Sequence, residues 1–116
     1  MKIVSISENK NIEKRIAITP EIAKKYISSG FEVSLSENYG KHLGFSDDNF
    51  KELGVLISGD EKKIIEDGDI IIQLGLPSDE KLLYFKENQN LIGILNPYVN
   101  KEKIDKLIKK KINNFS

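Results

Sequence analysis

Short runs of apolar, largely β-branched residues recur along this chain, each separated from the next by a stretch with helical spacing. The clearest run is Asp69–Leu74, whose centre is Ile70–Ile72 followed by Gln73. Side chains alternate between the two faces of a strand, so a strand that is apolar at successive positions must be covered on both faces. Leu91–Leu95 has the same character. Lys2–Ile6, Phe31–Leu35 and Val55–Ile57 read as further strands, and Lys111–Ser116 as the start of another at which the chain stops, as a fragment would.

The segments between the strands carry helix punctuation. Thr19-Pro20 opens the first: threonine caps a helix N-terminus, and proline at the first helical position lacks an N–H that would have no partner there. Ile22, Ala23, Tyr26 and Ile27 form its apolar face, and Gly30 stops it. Ser46–Leu53 follows, with Asp47 and Asp48 at its positive end and Gly54 as its stop. Asp60–Glu66 ends before Gly68, Pro77-Ser78 caps a helix over Asp79–Phe85, and Asn100 caps one reaching Lys110. Strands alternating with helices predict an α/β fold. The expected architecture is an open, mostly parallel sheet with right-handed crossovers and helices on both faces, a three-layer arrangement of the flavodoxin-like or Rossmann-like kind.

The 116 residues suit one domain with its own core. No cysteine is present, which excludes disulfides, thiolate metal sites and a cysteine nucleophile. The 18 basic and 18 acidic side chains cancel, so no global field favours nucleic acid. No apolar run approaches the length of a membrane-spanning helix, and the N-terminus lacks the apolar core of a signal peptide, so a soluble, cytoplasmic chain is expected.

Few residues carry obvious chemistry. Neither GxGxxG after a strand nor GxxxxGK[ST] occurs. His42, the sole histidine, sits between Gly40 and Gly44 and reads as an exposed loop residue. Asp47/Asp48 and Asp79/Glu80 read as first-turn helix acids. The lysines of Lys101–Lys111 read as a solvated helix face. The loop after the first strand is different. In an open parallel sheet, loops leaving the carboxyl ends of strands line the ligand crevice. That loop holds Arg15, the only arginine, whose planar fork suits a carboxylate or phosphate. Bracing neighbouring loops through backbone carbonyls is an equally open role for it. Gln73 and Asn96 are the other strand-end candidates, neutral amides able to orient a ligand but not to act as acid or base.

A first strand followed by Asn11, Arg15, Ile16, Ala17, Thr19 and Pro20 resembles the N-terminal domain shared by alanine dehydrogenase and the NAD(P) transhydrogenase alpha subunit. The likeness continues through Gly30-Phe31-Glu32-Val33, Phe45-Ser46-Asp47-Asp48, Gly54, the Asp69–Pro77 strand and turn, and Leu91–Pro97, and so covers essentially the whole chain. Alanine dehydrogenases carry a lysine where this chain has Gln73 and a histidine where it has Asn96, and with the arginine these hold the keto acid. The strand-four lysine is also common in the transhydrogenase branch, so Gln73 departs from both. Losing two of the three keto-acid groups, together with the Asn96-Pro97 ending, favours the transhydrogenase branch.

The resemblance implies a parent that transfers hydride between NADH and NADP+, coupled to proton movement through membrane subunits. It implies NAD and NADP as the parent's cofactors, with none expected on residues 1–116, because the nucleotide-contacting segments lie beyond them in the family. Implied partners are the NAD-binding domain of the same parent chain, membrane and NADP-binding subunits, and a second copy in a homodimer, with no nucleic acid. The implied location is the cytoplasmic side of the inner membrane, peripheral to it through the complex. The alternatives are a piece of an alanine or saccharopine dehydrogenase, or a stand-alone α/β module binding a small anion. No catalytic residue is assigned within the chain.

Overall fold

In a computed structural model, which describes residues 1–8, 15–74, 79–93 and 113–115, the apolar runs become strands of one sheet. They are β1 (Lys2–Ser5), β2 (Glu32–Ser36), β3 (Leu56–Ser58), β4 (Ile70–Gln73), β5 (Asn90–Gly93) and β6 (Asn113–Phe115). The order across the sheet is β3-β2-β1-β4-β5-β6, and every neighbouring pair is parallel. This is the Rossmann order, and it resolves the choice left between Rossmann-like and flavodoxin-like arrangements. The chain runs outward from β1 through β2 to β3, then returns to the other side of β1 and continues from β4 to β6. The order therefore reverses between β1 and β4, which puts a crevice beyond their carboxyl ends.

Four helices connect the strands: α1 (Pro20–Ser28), α2 (Asp47–Lys51), α3 (Glu61–Asp67) and α4 (Asp79–Leu82). Alternation along β1 sends Ile3 to one core and Val4 to the other. Ile3 joins Ala23 of α1, Phe50 of α2, Val33, Leu35, Ile18 and Tyr39. Val4 joins Ile64 and Ile65 of α3, Leu82 of α4, and Phe85, Ile71 and Leu91. The sheet is thus sandwiched between two helical layers, as its apolar strands require.

The caps are those anticipated. The Thr19 hydroxyl accepts from the Ile22 N–H at 3.3 Å, and Pro20 is the first residue of α1. Ser46 and Asn49 form a reciprocal capping box at α2. The Asp60 carboxylate accepts from the Lys63 N–H at 3.2 Å to cap α3. Gly30, at φ 94°, turns the chain from α1 into β2 with a backbone that a side chain would strain.

Three boundaries shift for physical reasons. Val55 is excluded from β3 because its N–H donates to the Phe50 carbonyl at the end of α2. Beyond Leu82, α4 gives way to turns in which each N–H reaches back three residues, from Leu83 to Glu80 and from Phe85 to Leu82. That tighter winding lets Leu82 and Phe85 enter the same core. The loop around His42 winds into a 3₁₀ turn over Lys41–Leu43. On β5, Leu91 is buried but Ile92 is 37% exposed, so the expected burial on both faces holds only in part. The Pro77-Ser78 turn, Asn96-Pro97 and the helix read over 100–110 lie outside the described residues. Among the described residues, no helix is long and apolar enough to cross a membrane.

The end of α3 lies directly against β1. The Lys2 N–H donates to the Asp69 carboxylate at 2.8 Å, and the Asp69 N–H to the Lys2 carbonyl at 2.9 Å. A Cβ on Gly68 would stand 2.5 Å from Val4 Cγ2 and 3.1 Å from its Cγ1. Val4 is fully buried and cannot swing away. Gly68→Ala is therefore expected to lower unfolding free energy by about 1–3 kcal/mol, the usual cost of overpacking, read from urea denaturation. An unchanged midpoint would mean that α3 can slide along the sheet.

Candidate functional site

The crevice between the carboxyl ends of β1 and β4 is where this fold places ligands, and its floor can be built residue by residue. β1 and β4 pair at Ile3–Ile70 and Val4–Ile71, and beyond that register side chains take over from the ladder. The Gln73 amide replaces the next peptide unit. Its Oε1 accepts from the Ile6 N–H at 2.8 Å, while its Nε2 donates to the Ile6 carbonyl at 3.0 Å. Nε2 also donates to Glu8 Oε1 at 3.1 Å, and the same carboxylate oxygen accepts from the Leu74 N–H at 2.5 Å. Gln73 is 2% exposed, so its amide forms part of the floor.

Ser5 continues this network toward the α1 side. Its Oγ lies 2.6 Å from the Ile72 carbonyl, 3.0 Å from Gln73 Oε1 and 2.8 Å from the Tyr39 hydroxyl. A serine hydroxyl has one proton, and two of these neighbours can only accept. The Ser5 proton therefore goes to Ile72 or Gln73, and Tyr39 donates its own proton to Ser5. The Tyr39 oxygen in turn accepts from the N–H groups of Ala17 and Ile18, both at 3.2 Å. Tyr39 is 1% exposed and meets Phe50 edge-to-face, with ring centroids 6.1 Å apart at 79°. Farther along the same edge, Ser36 Oγ accepts from the Ser7 N–H at 2.8 Å and lies 3.0 Å from Ser7 Oγ, which ties the end of β2 to that of β1.

Arg15 is exposed, at the start of the described segment that reaches α1 through Ile16, Ala17 and the fully buried Ile18. Of the three candidates at strand ends, Arg15 is thus on the surface and Gln73 in the floor, while Asn96 lies outside the described residues. His42 is exposed in its 3₁₀ turn. The Asp47 carboxylate accepts from the Asn38 N–H at 2.9 and 3.2 Å, a structural contact at the start of α2.

Sequence reading passed over Ser5, Glu8 and Tyr39. Ser5 did carry a signal, since it shares the Ile3 face of β1, and a serine on a core-facing position needs a hydrogen-bond partner. Glu8 and Tyr39 stand in loops, where nothing in the local pattern marks burial.

This floor does not fit a dinucleotide. The connection between β1 and α1 contains no glycine that would let backbone approach a pyrophosphate. The Thr19 hydroxyl already occupies the Ile22 N–H in the first turn of α1. The Glu8 carboxylate stands at the head of the crevice, where it would repel phosphate.

A family model described as alanine dehydrogenase/PNT, N-terminal domain, matches residues 5–116. The chain belongs to this family. Across its whole length it is 36% identical to the first of the polypeptides that make up the NAD(P) transhydrogenase alpha subunit of Rickettsia prowazekii (strain Madrid E), covering 31% of that protein. It is 32% identical over 107 residues to alanine dehydrogenase 1 of Staphylococcus aureus (strain bovine RF122 / ET3-1), covering 92% of this chain and 28% of that one. The crystal structure of transhydrogenase from Sinorhizobium meliloti superposes on 98% of the chain and 34% of its own, with a TM-score of 0.88 at 26% identity. The chain spans about a third of the length of the curated relatives it matches. This alanine dehydrogenase/PNT N-terminal domain therefore has relatives in two oxidoreductase branches, and its Rossmann-like sheet is shared with them.

The network makes two measurable demands. Replacing Gln73 with leucine leaves the Ile6 N–H and carbonyl without partners, each at about 1–3 kcal/mol. Gln73→Leu is expected to cost about 2–4 kcal/mol in chemical denaturation. A loss well below 1 kcal/mol would mean that water replaces the amide.

Burial pushes the Tyr39 hydroxyl from 10.0 up to about 12; the Glu8 carboxylate adds to the rise, and the hydrogen bonds from Ser5, Ile18 and Ala17 oppose it. Between pH 10 and 12 the unfolded chain releases this proton while the folded chain keeps it. The stability that neutral Tyr39 contributes is therefore complete below pH 10 and lost as pH rises toward 12, by roughly 2 kcal/mol. Subtracting the stability–pH curve of Tyr39→Phe from that of the wild type should isolate this decline from lysine titration. Parallel curves would contradict it.

Proposed function

We propose that this chain is the N-terminal domain of an NAD(P) transhydrogenase alpha subunit. The parent converts NADH and NADP+ to NAD+ and NADPH by hydride transfer, coupled to proton movement through membrane subunits. Gln73 carries this reading. At the position where an alanine dehydrogenase has a lysine for its keto acid, this chain has a neutral amide held by Ile6 and Glu8. An amide supplies neither the positive charge that holds a carboxylate nor a proton for a carbonyl. Transhydrogenation needs neither, because both of its substrates are nicotinamide nucleotides and the protein's work is alignment. The 36% identity to a transhydrogenase alpha polypeptide across the whole chain supports the same branch.

On this reading residues 1–116 are one wall of a larger enzyme. The nucleotides NAD and NADP are held elsewhere in the parent, by a nucleotide-binding domain of the same chain and by an NADP-binding subunit. The membrane subunits keep the complex at the cytoplasmic face of the inner membrane, and the alpha subunit pairs with a second copy. Arg15, exposed at the mouth of the crevice, is the group here that meets a ligand or the neighbouring domain.

The deciding experiment compares two reactions with the complete gene product and its partner subunits. Hydride transfer from NADH to an NADP+ analogue is expected, with reductive amination of pyruvate at background. The opposite pattern would move the chain to the alanine dehydrogenase branch. Binding of a small anion with neither activity would support a stand-alone module. Arg15→Ala should lower hydride transfer about tenfold or more, the scale of a lost charged hydrogen bond. Lys14→Ala, its neighbour in sequence, should leave the rate within about twofold.

A further inference from the structure

We propose that Tyr39 is a positioning residue for Arg15, acting through the backbone of the segment between them. The proposal rests on the reading of Arg15 as the ligand-facing group, and adds what holds it in place.

The geometry gives Tyr39 a single polar task. Its hydroxyl accepts from two consecutive peptide N–H groups, Ala17 and Ile18, and donates to Ser5 at the end of β1. Ala17 is two residues from Arg15, and Ile18 is fully buried beneath the clamp. Two bonds to adjacent peptides fix the orientation of the strand of chain as well as its distance. The point at which the backbone leaves the core toward Arg15 is therefore set by one oxygen atom.

That oxygen is itself held from three directions. Phe50 of α2 packs edge-on against the Tyr39 ring. Ser5 joins the hydroxyl to the Gln73 floor. Gly40, next in sequence, allows no side chain: a Cβ there would stand 3.0 Å from Phe45 Cβ and 3.3 Å from Phe50 Cε2. The Phe45 N–H closes the loop onto the Gly40 carbonyl at 3.0 Å. The loop after β2 thus carries a rigid post that reaches across to the loop after β1. With its hydroxyl fully engaged inside the protein, Tyr39 acts on a ligand only through Arg15.

Tyr39→Phe removes the oxygen and keeps the ring, so the core packing survives. Amide exchange in this variant is expected to speed up about tenfold or more at Ala17 and Ile18, and to stay unchanged at Val4 and Leu35. In the complete enzyme, Tyr39→Phe should lower kcat/KM for hydride transfer about tenfold in the wild-type background and less than about twofold in the Arg15→Ala background. Ile65→Val, a truncation in the opposite core, controls for lost stability and should affect neither measurement. Unchanged exchange at Ala17 and Ile18 would overturn the proposal. So would an equal fractional loss of activity in both backgrounds, which would make Tyr39 structural only. Should Arg15→Ala alone leave activity intact, the reading of Arg15 fails and the positioning role fails with it. The exchange data would then report whether the clamp exists without that use.

Discussion

Two parallel strands that part company leave peptide groups without ladder partners, and this sheet must solve that problem where β1 and β4 diverge. Their pairing ends at Val4 and Ile71, yet the Ile6 peptide remains inside the protein. Leaving its N–H and carbonyl unsatisfied would cost a substantial share of a small domain's net stability. The Gln73 side chain presents one acceptor and one donor in the spacing of a peptide unit and extends the ladder by one step. Glu8 does the same for the Leu74 N–H. Ser5 and Tyr39 carry the satisfaction onward to Ala17 and Ile18. The carboxyl edge is thus laced together by side chains standing in for backbone.

This lacing explains why a Rossmann strand order here need not mean a Rossmann nucleotide site. In a nucleotide-binding sheet the same fork is kept open, with glycines and a helix N-terminus facing the phosphates. Here the corresponding space holds an amide and a carboxylate, and the first helix is capped by its own threonine. The missing glycine motif and the filled floor are two aspects of one design. Fold and ligand chemistry are separable, and the side chains at the fork decide between them.

How far the sequence foretold this depended on the range of the interaction. Helix caps are local, so Thr19-Pro20, Ser46 and Asp60 could be read from neighbours a few residues away. Strand character is also local, and Ile70–Ile72 announced a covered strand before any partner was known. Boundaries failed where a distant group competed, as at Val55, whose N–H belongs to Phe50. Arg15 stood out by being the only arginine, and Gln73 by its place at a strand end. Whether an amide at a strand end faces a ligand or closes a ladder depends on a peptide 67 positions away, and no local pattern encodes that. Tyr39 was invisible for the same reason: its partners Ser5, Ala17 and Ile18 are distant in sequence and meet only after the sheet has formed.

The physical dependence runs in one direction. The sheet order brings the loops after β1 and β2 to one edge, and the capping box at α2 sets where Phe50 stands. Phe50 and Gly40 then leave one place for the Tyr39 ring, and the ring's hydroxyl leaves one path for the Ala17–Ile18 backbone. A surface arginine has high rotamer entropy, and the cost of ordering it falls when its backbone is already fixed. Placing that backbone on a buried hydroxyl, inside a network that also closes the sheet, makes precision at the crevice a consequence of fold stability. A domain built in this way serves as a rigid wall against which a partner domain can align its own ligands.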